Sequence, residues 1–291
     1  MQTSIHNEYL TLTVDTLGAE MVSVKNQAGE EMLWSGDPAA WAGQAPILFP
    51  WAGNYPDGYT YQGKQYPGCR HGFARKQEYT LVSAEGNTAV FELHSSEATK
   101  EWYPFDFVLN VCYRLEERQV KIEVTAKNES NESMPFGIGF HPGFAIPFDD
   151  KHTTEDYEFR FDALENPILV DTGARGMMSG KCSLYGVGMD KIQLTDKLFA
   201  EDSLCFTGLN SKNLGIYEKD TGRHISCGLE GFPYTLLWSA STEKVRFVCI
   251  EPWRTLPGIA GCGPELTDHP ATAILAPGAS DTTVLKIDFA R

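Results

Sequence analysis

A glutamate directly after the apolar run Phe247-Val248-Cys249-Ile250 is the first residue to suggest chemistry. Buried and unpaired, the Glu251 carboxylate would carry a large desolvation penalty, so it must reach a partner or open into a cleft. Pro252 is expected to end the strand there, placing the carboxylate at a strand end with Trp253 beside it as an apolar face for a sugar ring. The structural alternative is a glutamate that pairs with Arg254 or Arg70. His141 closes a second apolar run, residues 134–140, just before Pro142 and Gly143. His71 lies in Arg70-His71-Gly72-Phe73-Ala74-Arg75, where two cationic neighbours favour a neutral imidazole. Taken alone, either histidine reads as a satisfied core or loop residue. Two histidines and a glutamate at strand-to-loop transitions fit two chemistries. They are suitable metal ligands, although no short His-x-His or His-x-x-x-His spacing supports a metal. They also suit paired proton transfer, a carboxylate taking a proton and an imidazole giving one.

The elements that must position these groups read as strands. Val120, Ile122 and Val124 alternate with Lys121, Glu123 and Thr125, as a half-buried strand requires. The same alternation runs through residues 9–14, 79–83, 89–93, 107–113, 157–161, 244–250 and 283–289. Residues 85–87 and 220–222 read as hairpin loops between such runs. Residues 46–58 hold too many prolines and glycines for a central strand and form a shaped loop around Trp51. Helical windows are few: residues 97–103 and 37–43, each a turn or two long. Residues 166–188, rich in glycine and small side chains, read as an irregular surface excursion. With no alternation of strand and helix, the expected fold is all-β, one large antiparallel β-sandwich domain over residues 1–291.

Composition narrows the partner. Lys+Arg 24 against Asp+Glu 39 gives a net charge of −15, a surface that repels phosphate backbones and anionic lipid, so neither nucleic acid nor membrane is expected. A neutral or polar small molecule fits better. No run approaches the roughly 18 apolar residues of a spanning helix. No charged-then-apolar leader opens the sequence, and the seven cysteines are scattered with no Cys-x-x-Cys pair. The expected compartment is the cytoplasm, with reduced cysteines serving as small core residues.

The motifs together resemble the aldose 1-epimerase (galactose mutarotase) family, most closely its LacX-like branch. The residues that carry the resemblance are Leu48-Phe49-Pro50-Trp51-Ala52-Gly53, His71-Gly72-Phe73-Ala74-Arg75, Trp102-Tyr103-Pro104-Phe105, Met134-Pro135-Phe136 with His141-Pro142, Cys249-Ile250-Glu251-Pro252-Trp253 and Leu275-Ala276-Pro277-Gly278. They occur in family order along nearly the whole chain. The resemblance implies a β-sandwich of the galactose mutarotase type that binds a free sugar without cofactor or metal. It assigns Glu251 as the base that takes the anomeric proton and His141 as the acid that protonates the ring oxygen. It makes His71 a substrate-positioning histidine and Asp202 an acceptor for sugar hydroxyls. Asn54 stands where many relatives carry an arginine, and Arg70 is the candidate to bring a guanidinium from another direction.

Three functions remain open on the sequence. The first is a mutarotase of free aldohexoses, which needs the Glu251–His141 couple. The second is a hexose 6-phosphate epimerase, which needs a basic pocket, for which Arg70, Arg75 and Arg254 are candidates. The third is a non-catalytic carbohydrate-binding or sensor protein on the same scaffold. A homodimer through exposed sandwich edges is compatible with each.

Overall fold

The computed structural model describes residues 1–240, 243–256, 258–269 and 272–290. Two large sheets dominate, and every ladder between strands is antiparallel. The nine-stranded sheet is built on Phe107–Glu116, Gln119–Asn128 and Ser280–Ala290, whose alternating buried and solvent-facing residues follow the sequence pattern. Val120, Ile122 and Val124 all point inward. Both expected hairpins form, joining Thr80–Glu85 to Thr88–His94 and Asn213–Glu218 to His224–Gly228.

The eight-stranded sheet runs Met178–Leu184, Ile168–Thr172, Leu204–Thr207, Tyr234–Trp238, Phe247–Trp253, Gly139–Phe140 and Ile47–Leu48, with Gly143–Ala145 also paired to Phe247–Trp253. A shared core of aromatic and aliphatic side chains joins the two sheets, including Phe49, Phe107, Phe136, Phe144 and Phe289. The cysteines at 112, 205, 227 and 249 sit in strands, and all seven are free thiols. Among the described residues no helix is long and apolar enough to cross a membrane.

One helical window is kept and three local expectations change. The only α-helix among the described residues is Glu97–Lys100, started by a Ser96–Thr99 capping box. Residues 37–43 form turns instead, with the backbone N–H groups of Ala40 and Trp41 both donating to Asp37 O. Residues 166–188 are not irregular: Ile168–Thr172 and Met178–Leu184 pair as strands extending the second sheet. The polar, glycine-bearing sequence of Met178–Leu184 follows from its exposure on the sheet edge, where little apolar burial is required. Pro252 does not end its strand, which continues to Trp253 with Thr235 opposite Pro252. Arg254 N donates to Ile138 O, and alternate backbone nitrogens face the same side. The Pro252 nitrogen therefore faces a stretch where no donor is needed, between the pairing with Gly143 and the pairing with Gly139.

Candidate active site

That interruption builds the site. Phe247–Trp253 is buried along its whole length, and Glu251 pairs with Leu236 on one side. On the other side the neighbouring chain leaves the ladder after Gly139 and rejoins it at Gly143. His141 lies in the gap, anchored by its backbone N–H to Pro46 O at 3.2 Å. Its Nε2 comes within 3.3 Å of Glu251 Oε2. Glu251 thus faces an imidazole, not Arg254 or Arg70. Arg254 is absent from the cavity, and its Nη1 bonds Asp281 and Thr283.

Above the pair opens a cavity of about 250 Å³. Its wall contains Asn54, Arg70, His71, His141, Asp202, Glu251 and Trp253, so these seven candidates from the sequence are brought together, while Arg254 is not among them. Loops supply five of them and one strand, Phe247–Trp253, the other two, which is the usual division between rigid support and variable contacts. Trp51, by contrast, is core: its indole donates to Cys69 O at 2.7 Å, and it packs edge-on to Tyr55 and Tyr59.

His71 is held in a left-handed backbone conformation, φ 65°, which strains a residue with a side chain. A reciprocal pair with Gly53 offsets the strain: His71 N donates to Gly53 O, and Gly53 N donates to His71 Nδ1 at 3.1 Å. Accepting at Nδ1 leaves the ring proton on Nε2 in the neutral form. Burial, then His141, then Arg75 and Arg70 hold the His71 pKa well below 6.5. The arginines act in the expected direction but are the smaller cause. His71 meets His141 edge to face at 5.4 Å and Trp253 at 5.5 Å.

Burial acts on the central pair in opposite senses. It pushes the Glu251 carboxyl well above 4.5, aided by the Asp202 charge and opposed by the Trp253 indole, which makes no full hydrogen bond. It pulls His141 down to about 3, with Arg75 and Arg70 adding to the effect. The pair therefore rests neutral, with one proton to share across 3.3 Å. The His141 Nδ1 is buried without a hydrogen-bond partner. Cys249 offers a thiol near the same two groups, within 4.8 Å, yet burial holds that thiol strongly protonated.

Several lining residues escaped the sequence reading. Thr172, Gly176 and Met178 come from the edge hairpin that looked irregular, and Ser203 follows Asp202. Asn54 ties that hairpin to the loop at residues 53–58 by donating to Arg175 O at 2.7 Å. Arg175 in turn forms a forked pair with Asp57, both contacts 2.9 Å. Trp41 and Trp238 complete the wall beside His141. Trp41 sits among alanines and glycine, and Trp238 ends an apolar strand, so neither carried a sequence signal for this place.

The sequence model described as aldose 1-epimerase matches residues 1–260. Protein LacX of Lactococcus lactis subsp. lactis, plasmid form, is 31% identical over 288 residues, 95% of each chain. The crystal structure of a galactose mutarotase related enzyme from Lactobacillus acidophilus superposes with a TM-score of 0.94 at 28% identity, covering 99% of this chain and 97% of that one. An Escherichia coli protein named as a candidate glucose-6-phosphate 1-epimerase is 34% identical over 108 residues, 34% of each chain. With the family match spanning most of the sequence and the LacX similarity nearly all of it, the chain belongs to the aldose 1-epimerase family.

Proposed function

We propose that the protein interconverts the α and β anomers of an aldohexose, with Glu251 and His141 as the proton-transfer couple. The observation that carries this reading is the 3.3 Å contact of His141 Nε2 with Glu251 Oε2 on the floor of a cavity, with no Lys or Arg among the described residues paired to the carboxylate. Ring opening removes the proton from the anomeric hydroxyl and delivers one to the ring oxygen. Rotation about C1–C2 and closure then return both protons with the roles reversed. A couple that carries one proton between two groups serves both directions, because each half-reaction moves one proton on and one proton off. In the opening direction Glu251 accepts from the anomeric hydroxyl while the His141 imidazolium donates to the ring oxygen. That ion-paired form is disfavoured in the empty pocket, and sugar hydroxyls at the carboxylate supply hydrogen bonds that favour it.

The other residues bind. His71 Nε2–H donates to a hydroxyl, Asp202 and Ser203 accept from hydroxyls on the opposite wall, and the Trp253 face covers the apolar side of the ring. One observation favours a second substrate, a hexose 6-phosphate. Among the described residues the exposed Arg70 guanidinium has no ion-pair partner, and it lines the same cavity as Arg75.

The test is polarimetry on freshly dissolved α-D-glucose, α-D-galactose and α-D-glucose 6-phosphate, with Glu251→Gln as control. Accelerated mutarotation that collapses in Glu251→Gln while sugar binding persists supports the assignment. Full rate in that variant overturns Glu251 as the base. A preference for the phosphorylated sugar that disappears in Arg70→Ala selects the second substrate. No acceleration on any of the three moves the protein to the non-catalytic, sugar-binding reading.

A further inference from the structure

His141 has one polar contact for its ring, at Nε2, and none at Nδ1. A single contact at one edge does not fix the plane of an imidazole. The plane is fixed by tryptophan. Trp41 stacks on His141 with ring centroids 4.7 Å apart and planes 25° from parallel. Trp238 meets His141 edge to face at 5.5 Å and Trp41 at 5.6 Å. Behind Trp41 lies Phe247, stacked at 5.5 Å.

The chain makes room for this ring at two glycines. A Cβ on Gly43 would lie 2.5 Å from Trp41 Cζ2, and one on Gly143 would lie 2.9 Å from Cζ3. The segment is also fastened from outside. Trp34 Nε1 donates to Trp41 O at 2.7 Å, and Arg246 pairs with Asp37 at 2.7 Å while covering the Trp34 ring. So much support for a partly exposed side chain in a turn exceeds what packing alone needs.

Charge explains what the stack is for. Glu251 favours a positive His141, whereas Arg70, Arg75 and any charge on His71 oppose it, as does burial. The face of an indole attracts a cation, most strongly where water is excluded. We infer that Trp41 is a positioning residue for His141, holding the imidazole plane toward the sugar and stabilising the imidazolium during proton transfer. The inference rests on the reading of His141 as a proton-transfer group.

Trp41→Leu and Trp41→Phe test it, with kcat and KM measured on the preferred sugar and the His141 ring ¹⁵N shifts measured without sugar. The expected result is a fall of about tenfold in kcat for Trp41→Leu, with KM changed less than about twofold, the size of a desolvated cation–π contact. Trp41→Phe, which keeps an aromatic face, recovers most of the rate, and the His141 shifts move in the leucine variant only. Equal loss in both variants overturns the inference, and so does a rise in KM alone, which would make Trp41 a sugar contact. Should the wild-type protein turn over no sugar, the function reading fails and the ring shifts decide alone: unmoved shifts in Trp41→Leu overturn the positioning role.

Discussion

His141 lies 3.3 Å from Glu251, and His152 lies 2.6 Å from Asp149 and 3.3 Å from Glu218. The two groupings share their residue types and differ in everything around them. At the second, Arg223 bonds both Glu218 and Asp149, Tyr157 donates to Glu218 at 2.6 Å, and Thr221 donates to Glu218 as well. Hydrogen bonding to Asp149 raises the His152 pKa, and His152 and Arg223 lower that of Asp149. Burial works against an ionised Glu218, but its donors prevail and its pKa falls. Around His141 and Glu251 no Lys or Arg among the described residues is paired, and burial drives both groups toward neutrality. A carboxylate saturated with donors is a brace that ties the 149–156 segment to the 218–223 hairpin. One left short of donors beside a cavity keeps its protons available for a ligand.

The largest test exchanges the consequences of one substitution. Glu251→Gln is expected to reduce kcat about a thousandfold while raising thermal stability by ~1 kcal/mol, because a buried, desolvated acid is replaced by a neutral amide. Glu218→Gln should do the reverse. It weakens the pairing with Arg223 and unbalances Tyr157 and Thr221, costing roughly 2–3 kcal/mol, the lower side of a broken buried pair because Arg223 still reaches water. Its turnover should match wild type. Polarimetry and denaturant unfolding on the two variants make the comparison. A Glu218→Gln protein that loses turnover without losing stability breaks it.

The pH response separates the regions again. His152 has a raised pKa, so its stabilisation is complete below 6.5 and is lost as pH rises through the folded value. His71 and His141 have lowered values, so the unfolded chain takes protons that the folded one refuses, and stability falls as pH drops below 6.5 toward about 3. Glu251 is raised, so its contribution fades as pH increases above 4.5. Histidine ring NMR should show His152 titrating above 6.5 and His141 remaining neutral to near pH 4. The rate profile should likewise cross 6.5 without a limb from His141, whose value is pulled down to about 3. A limb at 6.5 would mean that His141 behaves as an exposed histidine.

The sequence made the strands legible wherever one face meets water, because alternation at Val120, Ile122 and Val124 records that geometry directly. It also drew attention to Glu251, His141 and His71, each of which breaks a local pattern, whereas Asp202 and Asn54 came only from the family resemblance. It failed where a local rule has a tertiary exception. Pro252 signals a strand end, yet its nitrogen falls where no partner strand needs a donor. The hairpin of Ile168–Thr172 and Met178–Leu184 lacks apolar alternation because its edge position buries little. Trp41 gave no sign of its role, because stacking on a residue 100 positions away leaves no periodicity near either.

The smallest test uses a matched pair of glycines. Gly176 and Gly222 sit at φ +72° and +74°, so alanine at either position costs the same backbone strain, about 1 kcal/mol. Their surroundings differ. A Cβ on Gly222, in the braced hairpin, meets nothing within 4 Å. On Gly176 it would lie 3.0 Å from Arg70 Nη2 and 3.4 Å from the Asn54 Cβ. The guanidinium is the end of a flexible side chain and can move aside, so Gly176→Ala should fold and melt like Gly222→Ala. Only Gly176→Ala should then alter the sugar site, raising KM several-fold for a substrate whose anionic group reaches Arg70, with kcat kept because Glu251 and His141 lie on the cavity floor. Equal KM values in the two variants would place Arg70 outside substrate contact. They would leave the cavity's selectivity to His71, Asp202 and the tryptophans.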